Sequence, residues 1–522
     1  MDKKNIIFGS LFFVVGIGLM MWNGKQTAEA SRQAALNAPV ADHASGAVQA
    51  NEGGIMPESV AAFEPVDEFA KPVVSTPVET SVTPEGLAVL ENAYFKATLT
   101  TKGASLRTVE LKAYPASQED NGPVVLHALA KVKPLSLHRE ISGQFYPLGS
   151  DYKVIEKTPQ SVVFELEVEG GIRIRRSYAL VEGDPEGPAP YTIEHKTTLI
   201  NPTEVAFSFD RIFVNIGTAA PTNTDPYGMD LNASYYDDGD YDNIASSKFK
   251  GGGLVFKSEP KERVEKNGLM QWASVKNQFF TSILTPVDAA AVVIAKGVKY
   301  PRPHGMNADP VGITAYLGFD IPTIAPGGEY VLAADYYSGP KAFKRLEAMS
   351  LEQEDVMQLG WFIGMFVGLI AFVAKTLLTL MTFLHGFVGN WGVAIILMTL
   401  VVRLCLWPLT AKAARASKRM QELSKPMAEI KEKYKDNPQK SQQATMELFK
   451  KHRINPLSGC WPVMLQFPIF IAMFNLLRNT ADLRFAHFLW IDDLSMPDAT
   501  IQLGETSLPF IGSTINVLPF VW

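Results

Sequence analysis

Trp391-Gly392-Val393-Ala394-Ile395-Ile396-Leu397-Met398-Thr399-Leu400-Val401-Val402-Arg403-Leu404-Cys405-Leu406-Trp407-Pro408-Leu409 is an apolar run in which only Thr399 and Arg403 carry strongly polar side chains. Its length suits a helix crossing the hydrocarbon core of a bilayer, which takes about 17–25 residues. A charge at that depth is costly unless it faces protein or water, so Arg403 is a functional-site candidate by position alone. Thr399 lies four residues earlier on the same helical face and gives the span a polar stripe. The competing reading is structural: Arg403 is six residues, about 9 Å, from the end of the run and within reach of the headgroups by snorkelling.

The chain around this run has 522 residues, 47% of them hydrophobic, with a mean hydropathy of +0.04 and room for two or more domains. Its two cysteines, Cys405 and Cys460, lie in or beside apolar runs. No disulfide framework or thiolate zinc site follows, and both are expected to pack as small apolar side chains. The net charge of −6 hides an asymmetry: residues 411–453 hold twelve Lys and Arg against five Asp and Glu, a local balance of +7. Basic segments beside spans stay cytoplasmic, so this one sets the topology. At the N-terminus Asp2-Lys3-Lys4 precede seventeen residues, Ile6 to Trp22, interrupted among strongly polar types only by Ser10. That reads as an uncleaved signal anchor over 1–23, with a signal peptide cleaved near Ala28-Glu29-Ala30 as its rival. Either way the next segment is exported.

Residues 24–85, rich in Ala, Pro, Glu, Val and Ser without a sustained period, are expected to be a flexible linker. From Leu87 the pattern changes to a period of two. Phe164, Leu166 and Val168 alternate with Glu165 and Glu167, Gly170-Gly171 interrupts, and Ile172 and Ile174 alternate with Arg173 and Arg175, which predicts a β-hairpin. Similar runs predict an exported all-β sandwich over 86–340. It carries little chemistry. Tyr235 to Asn243 is acidic, but taking Gly239 as the glycine of an EF-hand loop puts Ser234 and Tyr236 where carboxylates belong, so a solvated loop is expected. The eight histidines are scattered without an H-E-x-x-H pair, and no nucleophile elbow or phosphate loop occurs. Those absences weaken metalloprotease, elbow-type hydrolase and ATPase readings.

Between Leu359 and Leu384 a second apolar stretch is broken by Lys375. As a full crossing it would send the Trp391 run outward and strand the +7 segment outside, against the positive-inside rule. The stretch, within a linker at 341–389, is therefore expected to be an interfacial amphipathic helix on the outer membrane surface, with Lys375 and His385 toward the headgroups. The span at 390–410 then runs inward to a cytoplasmic segment at 411–454. There Met420, Leu423, Met427, Ile430 and Tyr434 recur at spacings of three and four, Asp436-Asn437-Pro438 interrupts, and Met446 and Phe449 resume. A basic helical hairpin is predicted, with Lys412, Arg415, Lys418, Arg419 and Lys431 as candidate docking residues. A topology determinant beside anionic lipid is the alternative that needs no partner. Base-stacking aromatics are not interleaved with these charges, so nucleic acid, DNA included, is not an expected ligand.

A second span is predicted over 455–478. It opens Asn455-Pro456-Leu457-Ser458-Gly459-Cys460-Trp461-Pro462-Val463-Met464-Leu465-Gln466-Phe467-Pro468-Ile469-Phe470. Here the chain resembles the YidC family of membrane-protein insertases, whose pattern N-P-x-x-G-C-x-P-x-x-x-Q-x-P-I-F is matched without a gap. Gly389-Asn390-Trp391-Gly392 leading to Arg403 and Pro408-Leu409 agrees as well, as does Leu489-Trp490-Ile491-Asp492-Asp493-Leu494-Ser495. Lys102-Gly103 and Gln278-Phe279-Phe280 in the β domain agree more weakly. The likeness is to the Gram-negative form with its large periplasmic domain and is densest from 389 to 498.

The resemblance implies a multi-domain, multi-pass protein of the bacterial inner membrane: an all-β periplasmic sandwich, an α-helical transmembrane core and a cytoplasmic helical hairpin. It further implies a polar groove open to cytoplasm and lipid but closed outward, whose central Arg matches Arg403 and whose lining includes Thr399 and Gln466. Taken alone, Gln466 reads as a helix-packing hydrogen bonder, and Pro462 and Pro468 as kinks. The implied activity is insertion and folding of inner-membrane proteins, alone or with the Sec translocon. Nascent membrane proteins, the ribosome and the lipid bilayer are the implied partners, and no cofactor, metal or covalent chemistry is called for, so the chain is not expected to be an enzyme. Family members continue with further spans after an outer loop, here 479–514, whereas residues 515–522 only begin to look like the next one. A C-terminal truncation is therefore expected. Two readings from other classes stay open. A carbohydrate-binding periplasmic membrane protein would lose its activity on deletion of residues 90–330, a loss an insertase would largely tolerate. A purely structural accessory subunit of the Sec translocon, completed with its missing spans, would not insert clients by itself.

Overall fold

The computed structural model describes residues 84–117, 122–168, 170–222, 225, 228–251, 259–300, 310–359, 367–435, 437–451, 461–496, 501–502 and 514–515. The expected signal anchor and nearly all of the expected linker lie outside them. The described residues belong to one compact unit, Ser81–Trp522.

The period-two segments form strands. β1 Leu87–Glu91, β2 Phe95–Thr100, β3 Ser105–Pro115 and β4 Pro123–Leu126 make a four-stranded sheet in that order. A fourteen-stranded sheet contains β5 Leu137–Ile141, β6 Gln144–Pro147, β7 Lys153–Lys157, β8 Ser161–Glu167, β9 Arg173–Leu180, β10 Thr192–Ile200 and β11 Ile212–Ala219. It continues with β12 Asn232–Asp237, β13 Asp240–Ala245, β14 Arg263–Lys276, β15 Phe280–Pro286, β16 Ala290–Lys299, β17 Val311–Phe319 and β18 Glu329–Pro340. Its main path runs β6-β5-β11-β17-β16-β14-β15-β18-β10-β9-β8-β7, with β12 added to β14 and β13 to β12. The pairs that build the sheets are antiparallel, so one face of each strand is free to bury apolar residues against the other sheet.

The hairpin read from Gly170-Gly171 is β8–β9, with Val162 opposite Tyr178, Phe164 opposite Arg176 and Leu166 opposite Ile174. Arg176 keeps the register of that alternation but puts a charge on its apolar face, in a fully buried position. Its Nη1 donates to the carbonyls of Gly103 (2.9 Å) and Ala104 (3.1 Å), Nη2 to the Leu135 carbonyl and to His195 Nε2 (3.0 Å), and Nε to Thr197 Oγ1 (3.3 Å). The guanidinium thereby ties the turn between β2 and β3 of the small sheet to the large sheet. Tyr235 to Asn243, expected as a solvated loop, is instead the β12–β13 hairpin. Asp238 and Gly239 both take positive φ, 46° and 100°, as an Asp-Gly type I′ turn requires. Tyr235 and Tyr236 are buried, with Tyr236 stacked on Trp272 of β14, and that apolar face holds the segment in the sheet.

The helices are α1 Ser247–Lys250, α2 Phe343–Glu347, α3 Val367–Val388, α4 Trp391–Glu422, α5 Ser424–Lys433, α6 Pro438–Lys451 and α7 Trp461–Asn479. Two of them are long and apolar enough to cross a membrane, over Leu369–Val388 and Trp391–Pro408. α3 buries one stripe, Ile370, Ala374, Leu377, Leu378 and Met381, against α4 and α7, while Phe372, Phe383 and Phe387 on its other side are exposed. Lys375 and His385, expected toward the headgroups, both have partners within the protein. Glu354, on the one-turn helix Gln353–Met357, is largely buried and its Oε1 lies 3.1 Å from Lys375 Nζ, whereas the His385 ring stacks on Trp391 at 3.8 Å.

Gly389-Asn390-Trp391-Gly392 is the turn from α3 into α4. Gly389 ends α3 in the left-handed region (φ 64°), its N–H on the His385 carbonyl at 2.8 Å. Asn390 caps α4, Oδ1 accepting the Val393 N–H at 3.2 Å, and Gly392 leaves no room for a Cβ beneath Phe488. α4 does not stop with the apolar run. It continues through Pro408 to Glu422, 32 residues or about 48 Å, so the boundary expected at 410 is not a break in the backbone. The break falls at Leu423, after which α5 and α6 fold back on each other. Asn437 Oδ1 accepts the Lys440 N–H (3.1 Å) and Pro438 opens α6. Leu423 and Phe449 of the expected seam are buried, Met427, Ile430 and Tyr434 half-buried, and Met446 exposed. Ile515, expected to begin a further span, pairs with Ile501 in a short ladder of β19 Ile501–Gln502 and β20 Thr514–Ile515. Residues 516–522 lie outside the described residues.

Candidate functional site

The stripe Trp391, Ala394, Ile395, Met398 and Val402 joins α4 to the packed core of the helices. Arg403 lies twelve residues beyond Trp391, which at about 100° per residue turns it about 120° away from the centre of that stripe. There it is exposed among Ile396, Leu400, Leu404 and Trp407, all exposed as well. Thr399 stands between the two faces, half-buried, its hydroxyl donating to the Ile396 carbonyl of its own helix at 2.8 Å. Pro408 has no N–H, so the Leu404 carbonyl lacks its intrahelical donor one residue after the guanidinium-bearing position. That second polar group is a signal the sequence carried in Pro408 and that a hydropathy reading passes over.

Gln466 is exposed on α7, beside exposed Phe467 and Phe470, and Pro468 two residues later interrupts the same helix. α4 and α7 are in contact. Cys405, expected to pack, is exposed on α4: it stands in line with the packed stripe, seven residues beyond Met398, but the stripe ends at Val402. Residues 455–460, the first part of the quoted motif, and with them Cys460, lie outside the described residues. Of the basic candidates, Lys412, Arg415, Lys418 and Arg419 stand on the continuation of α4 and only Lys431 on α5. Arg415, Lys418 and Lys431 are exposed. Most of the expected docking charge therefore rides on the same rigid helix as Arg403.

Sequence reasoning missed the junction between the β domain and the outer end of α7. Gln278 Nε2 donates to the Arg478 carbonyl (3.0 Å), Arg478 Nη2 lies 2.9 Å from Asp230 Oδ2, and Lys341 Nζ donates to Asn479 Oδ1 at 3.3 Å. Asn475 Nδ2 donates to the Leu359 carbonyl at 3.2 Å. Gln278, Lys341, Asn475 and Asn479 are all buried. Burial pushes the Lys276 amine beside them down to about 8, and burial with neighbouring Lys276 holds Lys341 well below the usual lysine range. Past α7, Arg484 donates to the carbonyls of Pro115 (2.7 Å) and Ala116 (2.8 Å) and lies over the rings of Phe279 and Phe280. The one available signal was Gln278-Phe279-Phe280, three residues whose resemblance had no stated purpose. Among the described residues no cluster of three His, Cys, Asp or Glu is placed to hold a metal.

A family model described as the YidC periplasmic domain matches residues 88–379. The chain belongs to the YidC family. A second model, described as 60Kd inner membrane protein, matches residues 383–521, so the two cover the β domain and the helical core in turn. Among similar relatives, the membrane protein insertase YidC of Janthinobacterium sp. (strain Marseille) is 27% identical over 515 residues, 96% of this chain and 85% of the relative. That of Chlorobaculum tepidum is 26% identical over 100% of this chain and 84% of its own. Among solved structures, the periplasmic domain of Thermotoga maritima YidC is similar at 8% identity and a TM-score of 0.25, covering 52% of this chain and 92% of that one. A galactose mutarotase related enzyme from Lactobacillus acidophilus is similar at 15% identity and a TM-score of 0.32, covering 48% and 97%. The family is one of inner-membrane insertases that carry a periplasmic domain.

Proposed function

We propose that this chain inserts membrane proteins through a polar groove centred on Arg403, with Thr399 and Gln466 in its lining, and assists their folding alone or with the Sec translocon. The observation that carries the reading is the placement of Arg403 within the apolar part of α4, on the face turned away from the packed stripe. In this mechanism a hydrophobic client segment approaches from the cytoplasm, guided by the basic continuation of α4 and the α5–α6 hairpin, which are also the surface offered to a ribosome. Its short acidic tail enters the groove, where the guanidinium provides a fixed positive charge and five hydrogen-bond donors. Release into lipid is downhill by about 0.3–0.6 kcal/mol for each Leu, Ile, Val or Phe near the centre of the client helix. The membrane potential adds about 2.3 kcal/mol per 100 mV for each negative charge moved outward. α3 lies on the outer surface, α4 and α7 span the membrane, and the protein is multi-pass.

The test compares Arg403→Ala with Arg403→Lys in reconstituted insertion of a client with an acidic tail. Ala is expected to slow insertion at least about tenfold, equivalent to about 1.4 kcal/mol, while Lys retains most of the rate. Full-rate insertion by the Ala variant would sink the electrostatic role.

A further inference from the structure

The outer end of α7 is held by the β domain through buried polar groups. A helix C-terminus leaves its last carbonyls without intrahelical donors and carries partial negative charge, so donors and cations placed there are stabilising. Gln278 supplies such a donor to the Arg478 carbonyl, and Lys341 bonds the Asn479 side chain one residue later. Arg478 reaches sideways to Asp230, which the Asp225 carboxylate braces by accepting the Met229 and Asp230 N–H groups, both at 2.8 Å. Asn475, one turn earlier, bonds the Leu359 carbonyl on the segment leading from the β domain toward α3. The partners come from four parts of the β domain and its trailing segment, around residues 230, 278, 341 and 359. Such a ring fixes tilt and rotation of the helix as well as its position.

We infer that Gln278, Asp230, Lys341 and Arg478 form a clamp by which the β domain positions α7, making them positioning residues for the insertion groove. The inference rests on the insertase reading given above. Gln466 lies twelve residues before Arg478, about 18 Å along the axis, so a tilt of about 10° at the clamp displaces it by about 3 Å. A displacement of that size removes a hydrogen-bond geometry that tolerates only tenths of an ångström. The β domain then acts on insertion mechanically, without touching the client.

The test uses the full-length protein in proteoliposomes and the pair of changes Gln278→Leu and Arg478→Met, which keep side-chain volume but remove the donor and the ion pair. Arg478→Lys is the conservative control. Insertion rate is measured together with the distance distribution between spin labels at Val287→Cys on the β domain and Phe467→Cys on α7, in a background without Cys405 and Cys460. Unfolding of the β sheet followed by circular dichroism checks that the domain is intact. The expected result is a broadened distance distribution, insertion at least about fivefold slower, Arg478→Lys close to the parent in both, and unchanged sheet unfolding. A broadened distribution with unimpaired insertion overturns the positioning role, and an unbroadened distribution overturns the clamp. Insertion that is insensitive to Arg403 in the parent protein refutes the groove instead, because the distance measurement stands without it.

Discussion

Arg176 and Arg403 are both removed from ordinary surface positions, and only one of them announces itself in sequence. Arg403 stands out because a charge inside a nineteen-residue apolar run violates the composition of a span. Arg176 follows Arg173 and Arg175 but has the register of Ile174 and Tyr178, the inward face of the strand, where it is fully buried and bonds three backbone carbonyls, His195 and Thr197. Period two gives the face it occupies but not its partners, because the carbonyls it serves lie some forty or seventy residues away in sequence. Replacing Arg176 by Met leaves the Gly103 and Leu135 carbonyls without the guanidinium donor, at about 1–3 kcal/mol each, while the Ala104 carbonyl keeps the Tyr178 hydroxyl. We expect a loss of about 3–5 kcal/mol in β-domain stability, read as a lower urea midpoint at unchanged slope. A change below about 1 kcal/mol would show that water replaces the guanidinium.

At the scale of elements, α3 and α4 decide the topology together. Both have the length and apolarity to cross a membrane, so hydropathy cannot separate an outer-surface helix from a crossing. The +7 balance of residues 411–453 favours the outer-surface placement proposed for α3, because two crossings in succession would place that segment outside. α4 carries Arg403 and Lys418 on one unbroken helix, so the location of Lys418 reports the orientation of the helix at Arg403 directly. Lys418→Cys, in a background free of native cysteine, is expected to react with a membrane-impermeant maleimide only after the cells are permeabilised, whereas Val287→Cys reacts without it. Labelling of Lys418→Cys from outside would show that α3 crosses and that the assigned orientation is inverted. The same elements revise the expected tolerance to deleting residues 90–330. That deletion removes Asp230 and Gln278, partners of Arg478, and leaves polar groups at the outer end of α7 without them.

The whole molecule couples an exported β sandwich to membrane helices, so the environment of the sandwich bears on the stability of the assembly. His127 and His138 are buried, and burial pushes each down to about 4; burial and the Arg176 guanidinium hold His195 well below the usual imidazole range. The unfolded chain binds protons to these rings at about pH 6.5 and the folded chain only near 4. Folded-state stability from the neutral rings is thus complete above pH 6.5 and is lost as the pH falls from about 6.5 to about 4. For His127 and His138 the shift corresponds to about 3 kcal/mol apiece. Urea unfolding of the full-length protein, followed by the β-sheet signal, is expected to weaken steeply between pH 6.5 and 4.5, and His138→Gln to flatten part of that slope. A slope unchanged by His138→Gln would remove this ring from the account.

Some properties follow from composition and spacing, which act over a few neighbouring residues. The apolar runs, the inside-positive segment, the alternation of β8 and β9, the Gly389-Asn390 cap and the motif ending at Phe470 are of this kind, and they were enough to read the family and the membrane core. Other properties depend on which distant segments meet. The partners of Arg176, the hairpin at Asp238-Gly239 packed on Trp272, the Lys375–Glu354 pair and the polar junction at Arg478 belong there. A buried polar group takes whatever partner the tertiary fold brings within about 3 Å, and that choice has no period along the chain. The sequence by itself therefore determined that this protein is a membrane protein with a charge inside one apolar run, and the tertiary structure decided which buried polar contacts join its helices to the β domain.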